Sequence, residues 1–311
     1  MTNDKNLNLE EIATQCGIND FSQDPQLVLE RVSALEKVYS PEDLVKIFAY
    51  ILETCPTTEI LEEVIRAEDK IRDKSILPAL TDLLVTKSNE EKYIQVRVMC
   101  AKAIANLKDT SAVQALLYCL NNKNENYKVR FACADALGKI GDRFAVTPLI
   151  NVVQDESEKS LYLRESAATA LGMLGDIRAI EPLVSILETK NGIIDKFTFL
   201  KERILESLGK LKFGDDKRVL KALKNSLEDE SAQVRINAIE AIMNIDTPEA
   251  SEIIKQTLND KDDEVKKNAL IALYNMHGRD ILDEVIYCEK YPKTLKTFAH
   301  ELIEEYENNE E

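Results

Sequence analysis

The sequence predicts an all-α fold: a solenoid of stacked antiparallel helix pairs. Three observations predict it. A unit of about 33 residues recurs, with copies starting at Val96, Val129, Leu163, Leu200, Val234 and Val265 and spacings of 33, 34, 37, 34 and 31. Within each copy the apolar residues follow a helical period and never alternate as a strand would. Nine Gly and eight Pro in 311 residues leave few turn-formers, so the joints between helices must be short and polar.

The first helix of each copy is plain in the sequence. Val129 to Asp142 reads VRFACADALGKIGD and Leu163 to Asp176 reads LRESAATALGMLGD. Counting from the first residue, apolar or small residues fall at offsets 0, 4, 7, 8 and 11. In one copy these are Val129, Cys133, Ala136, Leu137 and Ile140; in the next, Leu163, Ala167, Ala170, Leu171 and Leu174. Such offsets form one stripe of a 3.6-residue helix. Gly141-Asp142 and Gly175-Asp176 then supply turn and capping chemistry. A second helix follows, with Pro148 and Pro182 placed early, where a missing N–H costs little. A helix pair of this size cannot bury its stripe alone, so neighbours must stack.

Three regions follow from this. Residues 1–57 are expected to form an N-terminal helical cap, with helices over Pro25 to Tyr39 and Pro41 to Cys55. Residues 58–290 form the array, with about six clear copies and a divergent one starting near Ile60. Residues 291–311 supply a closing helix over Pro292 to Glu305 and an acidic tail, Glu304 to Glu311, expected to fray. The longest irregular connection is expected near Lys190 to Lys196.

The pattern VRxxAxxALGxIGDxxAVxxLxxxL resembles the HEAT family, and within it the PBS-lyase HEAT-like repeats. The resemblance is specific over Val129 to Val153 and Leu163 to Leu187, and it weakens before Ile60. It implies a right-handed α-solenoid whose second helices line a concave face. It implies no function by itself, because one fold carries many sites.

The formal net charge is -16, a field that repels phosphate backbones and anionic lipid heads. No nucleic-acid or membrane partner is therefore expected. A HEAT-like DNA glycosylase would need a cationic concave face, and the second helices are neutral to acidic apart from Lys221, Lys224 and Lys255. No apolar run is long enough to span a bilayer, and the start of the chain lacks a signal-peptide pattern. Six scattered cysteines with no CxxC read as reduced thiols of a cytoplasmic protein.

Chemistry finds little purchase. The two histidines, His277 and His300, give one His-Glu pair, His300-Glu301, whereas the iron of the HEAT-like deoxyhypusine hydroxylases needs several. No catalytic residue, cofactor or metal is expected. Cys100 and Cys133 share offset 4 in adjacent copies, either as a thiol pair or as small core residues; Ala167, Ile204, Ala238 and Ala269 in the same slot favour the core. Offset 1 is basic in six copies: Arg97, Arg130, Arg164, Lys201, Arg235 and Lys266. These form either an anion-binding row or a ladder with the acids that end the first helices, Asp109, Asp142, Asp176 and Asp246. The recurring acid favours the ladder. Aromatics near the first-helix starts (Tyr93, Tyr127, Tyr162, Phe197 and Phe199) form either a stacking edge or packing between copies, and packing is favoured.

That leaves the exposed side of the second helices. Its central row is Tyr118, Asn151, Ser185, Asn225, Gln256 and Tyr287, and beside it stand Gln114, Asn121, Thr147, Gln154, Glu181 and Glu188. The central row is uncharged and polar, with tyrosines at its ends, and suits a protein partner. The expectation is a non-enzymatic scaffold or adaptor, acting as a monomer or within a hetero-complex. The alternative, implied by the resemblance, is a bilin lyase subunit or phycobiliprotein-handling protein, though no residue here matches a lyase motif beyond the repeats.

Overall fold

A computed structural model describes residues 7–18, 20, 24–87, 90–188, 198–211, 216–245 and 247–309. Every regular element among them is helical. The connection around Lys190 to Lys196, Phe197, Asp246 and the last two tail residues lie outside the described residues.

The chain divides into two compact lobes, one of Met1–Val152 with Glu158–Ala170, the other of Val153–Ser157 with Leu171–Glu311. In the first lobe the helices are α1 (Leu9–Cys16), α2 (Pro25–Leu35), α3 (Pro41–Thr54), α4 (Thr58–Ile71), α5 (Leu77–Thr86), α6 (Ile94–Leu107), α7 (Val113–Asn121) and α8 (Tyr127–Ile140). The boundary runs through α9 (Val146–Gln154) and α10 (Leu161–Leu174). Helices α2, α4, α6 and α8 pack in succession as one layer, and α1, α3, α5 and α7 as the other. The second lobe holds α11 (Ile180–Glu188), α12 (Thr198–Lys210), α13 (Lys217–Ser226), α14 (Ala232–Met243), α15 (Pro248–Gln256), α16 (Asp263–His277), α17 (Asp280–Tyr287) and α18 (Lys293–Asn309). There α12, α14, α16 and α18 stack, each against the second helices beside it.

The predicted stripe is the core. Val96, Cys100, Ile104, Val129, Cys133, Leu137, Leu163, Ala167 and Leu171 are fully buried. So are Leu200, Ile204, Leu208, Ala238, Ile242, Val265, Ala269 and Leu273. Burial of these apolar stripes drives assembly of each lobe, at roughly 25 cal/mol per Å² removed from water.

The four joints between α4 and α5, α6 and α7, α8 and α9, and α10 and α11 share one local chemistry. The first helix ends in a left-handed residue: Gly141 has φ +83° and Gly175 φ +64°, which glycine adopts without steric cost. In the two earlier joints Arg72 (φ 58°) and Lys108 (φ 50°) take that conformation instead. An Asp follows and caps a single 3₁₀ turn. Asp73, Asp109, Asp142 and Asp176 accept from the backbone N–H two residues on, at 2.8, 2.9, 2.9 and 3.0 Å.

The ends differ from the sequence reading. The polar first residues include α1, which buries Ile12, Ala13 and Cys16 and is capped by Asn8. Helix α2 stops at Leu35 rather than Tyr39, giving way to a turn bonded back to Ala34 and Leu35. Helix α18 continues to Asn309, four residues beyond the expected Glu305.

Candidate functional site

Four of the six basic residues at offset 1 form a ladder, but not with the acids expected; Lys266 instead pairs with Asp263 on its own helix. Asp109, Asp142 and Asp176 are turn caps. The partners lie in the loops ahead of the next first helix. Arg97 pairs with Glu125 at 2.5 Å, both nearly inaccessible, and donates from Nε to the Leu84 carbonyl at 2.7 Å. Arg130 pairs with Glu158 at 2.5 Å and donates to the Leu120 carbonyl at 2.9 Å. Lys201 pairs with Asp229 at 2.8 Å, and Arg235 holds Asp260 by two bonds of 2.8 and 2.9 Å. Each cation thus ties its helix to the following joint. These four are occupied internally and offer no row to an external anion.

Cys100 and Cys133 fill core slots, as the sequence favours, and burial pushes the Cys100 thiol up to about 12. The thiol that bonds Cys133 is Cys119 of α7, a pairing the offsets do not reveal. The Cys133 S–H donates to Cys119, holding Cys119 down and Cys133 up, while the Arg97 guanidinium lies 3.8 Å from the Cys119 sulfur. Among the described residues no group of three or more His, Cys, Asp or Glu side chains is placed to hold a metal. No helix there is long and apolar enough to cross a membrane.

The aromatic edge splits. Tyr93 is buried and donates its hydroxyl to the Pro56 carbonyl at 3.0 Å. Tyr127, Tyr162 and Phe199 are exposed, which corrects the expectation that they pack between copies. Their ring faces lie outside the stripe that each first helix buries.

The second-helix residues stand where the sequence places them. Gln114, Tyr118 and Asn121 on α7, Thr147, Asn151 and Gln154 on α9, and Glu181, Ser185 and Glu188 on α11 are all exposed. So are Asn225 on α13, Gln256 on α15 and Tyr287 on α17. Tyr118 keeps 59% of its surface in water and Tyr287 81%, although tyrosine is a large partly apolar side chain. In the second lobe the second helices are cross-linked by charge at this surface. Arg218 of α13 bonds Glu181 of α11, and Lys255 of α15 pairs with Glu284 of α17 at 2.7 Å. Gln256 also lines a cleft of about 320 Å³ between the end of α13 and α15. The sequence reading missed this cleft because it is built by residues just beyond the helix ends, such as Leu227 and Asn259.

Two layers of paired helices, an apolar seam, capped joints and a guanidinium ladder define an all-α solenoid of helical repeats. Family models for HEAT repeats match residues 90–161, 123–198 and 193–274, and the chain belongs to that family. Among curated proteins none matches the sequence. Of solved structures, Kap121p bound to Pho4p is similar with a TM-score of 0.55 and 13% identity over 89% of this chain and 34% of that one. A Kap121p mutant gives 0.56 and 14% identity over 96% and 37%. The chain therefore spans about a third of Kap121p. The complex of CpcE and CpcF of phycocyanin lyase from Nostoc sp. PCC7120 gives 0.47, with 24% identity over 73% of this chain and 87% of that one.

Proposed function

We propose that the chain is a non-enzymatic scaffold that holds a protein partner on the exposed side of its second helices. The observation that carries this reading is the exposure of all twelve side chains predicted for that surface, two of them tyrosines with most of their area in water. Tyrosine anchors and uncharged hydrogen-bonding groups are the residue types that concentrate binding energy at protein interfaces. Fold likeness to Kap121p, which is bound to Pho4p in one of the structures above, is consistent with a solenoid that carries a protein. The reading places the protein in the cytoplasm, as a monomer or one member of a hetero-complex, with no bound cofactor and no nucleic acid.

The test is Tyr118→Ala combined with Asn151→Asp in the first lobe. Both side chains are exposed, so the variant keeps its helical circular dichroism and melting temperature. Capture of the partner from native lysate, followed by mass spectrometry, weakens by about ten-fold or more, the scale of one or two interface anchors. Undiminished capture by the folded variant sinks the reading.

A further inference from the structure

Helix α13 reads KRVLKALKNS: four cations and no acid, in a chain of formal net charge -16. Arg218 is engaged by Asp216 and Glu181. Lys217, Lys221 and Lys224 are exposed, and among the described residues they make no ion pair or side-chain hydrogen bond. Their i, i+4, i+7 spacing sets them in one line along the helix, about 10 Å long at 1.5 Å per residue. Like charges at this spacing oppose helix formation. Among the described residues no acid pairs with them, whereas the neighbouring half-buried cation, Lys255, has Glu284.

The line ends at the 320 Å³ cleft, which Lys224 and Lys261 border and whose apolar lining includes Leu227 and Ile253. Two acids of that cleft, Asp229 and Asp260, are already neutralised by Lys201 and Arg235. Lys261 makes no ion pair among the described residues. Glu252 on α15 takes the register that Lys221 holds on α13, so the positive strip is one helix wide, and Glu228, four residues after Lys224, ends it at the cleft. A broad polyanion such as a nucleic-acid duplex would meet Glu252; a single acidic segment lying along Lys217, Lys221 and Lys224 would not. At physiological salt, charges more than about 8 Å away are largely screened, so this strip is felt locally despite the acidic whole.

We infer that α13 docks an acidic segment of a protein partner, three carboxylates spaced over about 10 Å on Lys217, Lys221 and Lys224, with a following apolar side chain in the cleft beside Leu227 and Ile253. This rests on the protein-binding reading and gives the partner its chemistry. It predicts salt-sensitive binding and a fast, charge-steered association.

The experiment titrates the full chain into a fluorescein-labelled 14-residue peptide carrying Glu at i, i+4 and i+7 followed by Leu. Controls are the same peptide with Gln for Glu and a single-stranded oligonucleotide. The chain with Lys217→Glu, Lys221→Glu and Lys224→Glu is the variant, its fold checked by circular dichroism; a second variant with the three lysines changed to Met removes charge without reversing it. The Glu peptide binds the natural chain and loses at least about ten-fold in affinity to both variants, to the Gln exchange, and on raising the salt. Equal affinity for natural chain and variants, or no binding, overturns the inference, and so does tighter binding of the oligonucleotide. If the lysine variants still capture the lysate partner while Tyr118→Ala with Asn151→Asp does not, this inference fails and the scaffold reading stands. If both sets capture it undiminished, the scaffold reading itself fails.

Discussion

Arg97 shows how one side chain can serve a repeat. Its guanidinium meets the Leu84 carbonyl, the Glu125 carboxylate and the Cys119 sulfur, with none of its own surface in water. Buried charge is costly unless it is fully paired. Arg97→Met therefore leaves Glu125 stranded and lowers stability by about 3–5 kcal/mol in denaturant titration, and Glu125→Leu added to it restores most of the loss. A second buried charge works against the fold. Glu68 occupies offset 8 of the divergent copy, where the other copies bury Ile or Leu, and it is 1% exposed. One carboxyl oxygen accepts from the Asp73 N–H at 3.2 Å and the other has no partner. Burial, with the charges of Asp73 and Asp69, raises its pKa to about 7. The folded chain holds this proton more tightly than the unfolded one. Its stabilising effect is thus complete below the unfolded carboxylate range and lost as the pH rises through 7. Glu68→Gln should change little at pH 4 and stabilise by about 2–3 kcal/mol at pH 8. Equal effects at both pH values would contradict this assignment.

Helices pack closely where side chains permit it. A Cβ added at Gly172 of α10 would stand 2.9 Å from the Cα of Ser207 on α12, closer than real contacts allow. Backbone cannot yield as a side-chain tip can, so Gly172→Ala is expected to destabilise by about 1–3 kcal/mol despite alanine's better helix propensity. A raised melting temperature would contradict the close approach. The stripes, joints and second-helix rows were legible because each depends on a short local period. The ladder's acids were not, although they too recur: Glu125, Glu158 and Asp229 each lie 28 residues after their cation and Asp260 lies 25 after. They sit in loops, where no periodic face marks them, and the nearer Asp of each joint competes for the assignment. Cys119 escaped for the same reason, since its contact with Cys133 crosses between helix types. Helix α1 escaped because eight residues in a polar stretch give too few turns to show a period.

For the molecule as a whole, the proposed recognition role uses one feature above others, the exposed polar side of the second helices. Both lobes present the same kind of side to solvent: second helices with polar, uncharged centres, carrying Tyr118 in one lobe and Tyr287 in the other. The first helices show water a different face, with Phe131 39% exposed on α8. The most direct test places the photo-crosslinker benzoylphenylalanine at Tyr118, at Asn151 or, as control, at Phe131, irradiates each chain in native lysate, and identifies adducts by mass spectrometry with an absorption spectrum of each. The account predicts one defined, colourless protein adduct at Tyr118 and Asn151 and none at Phe131. An adduct confined to Phe131, or adducts that carry visible absorbance from a chromophore, would contradict it.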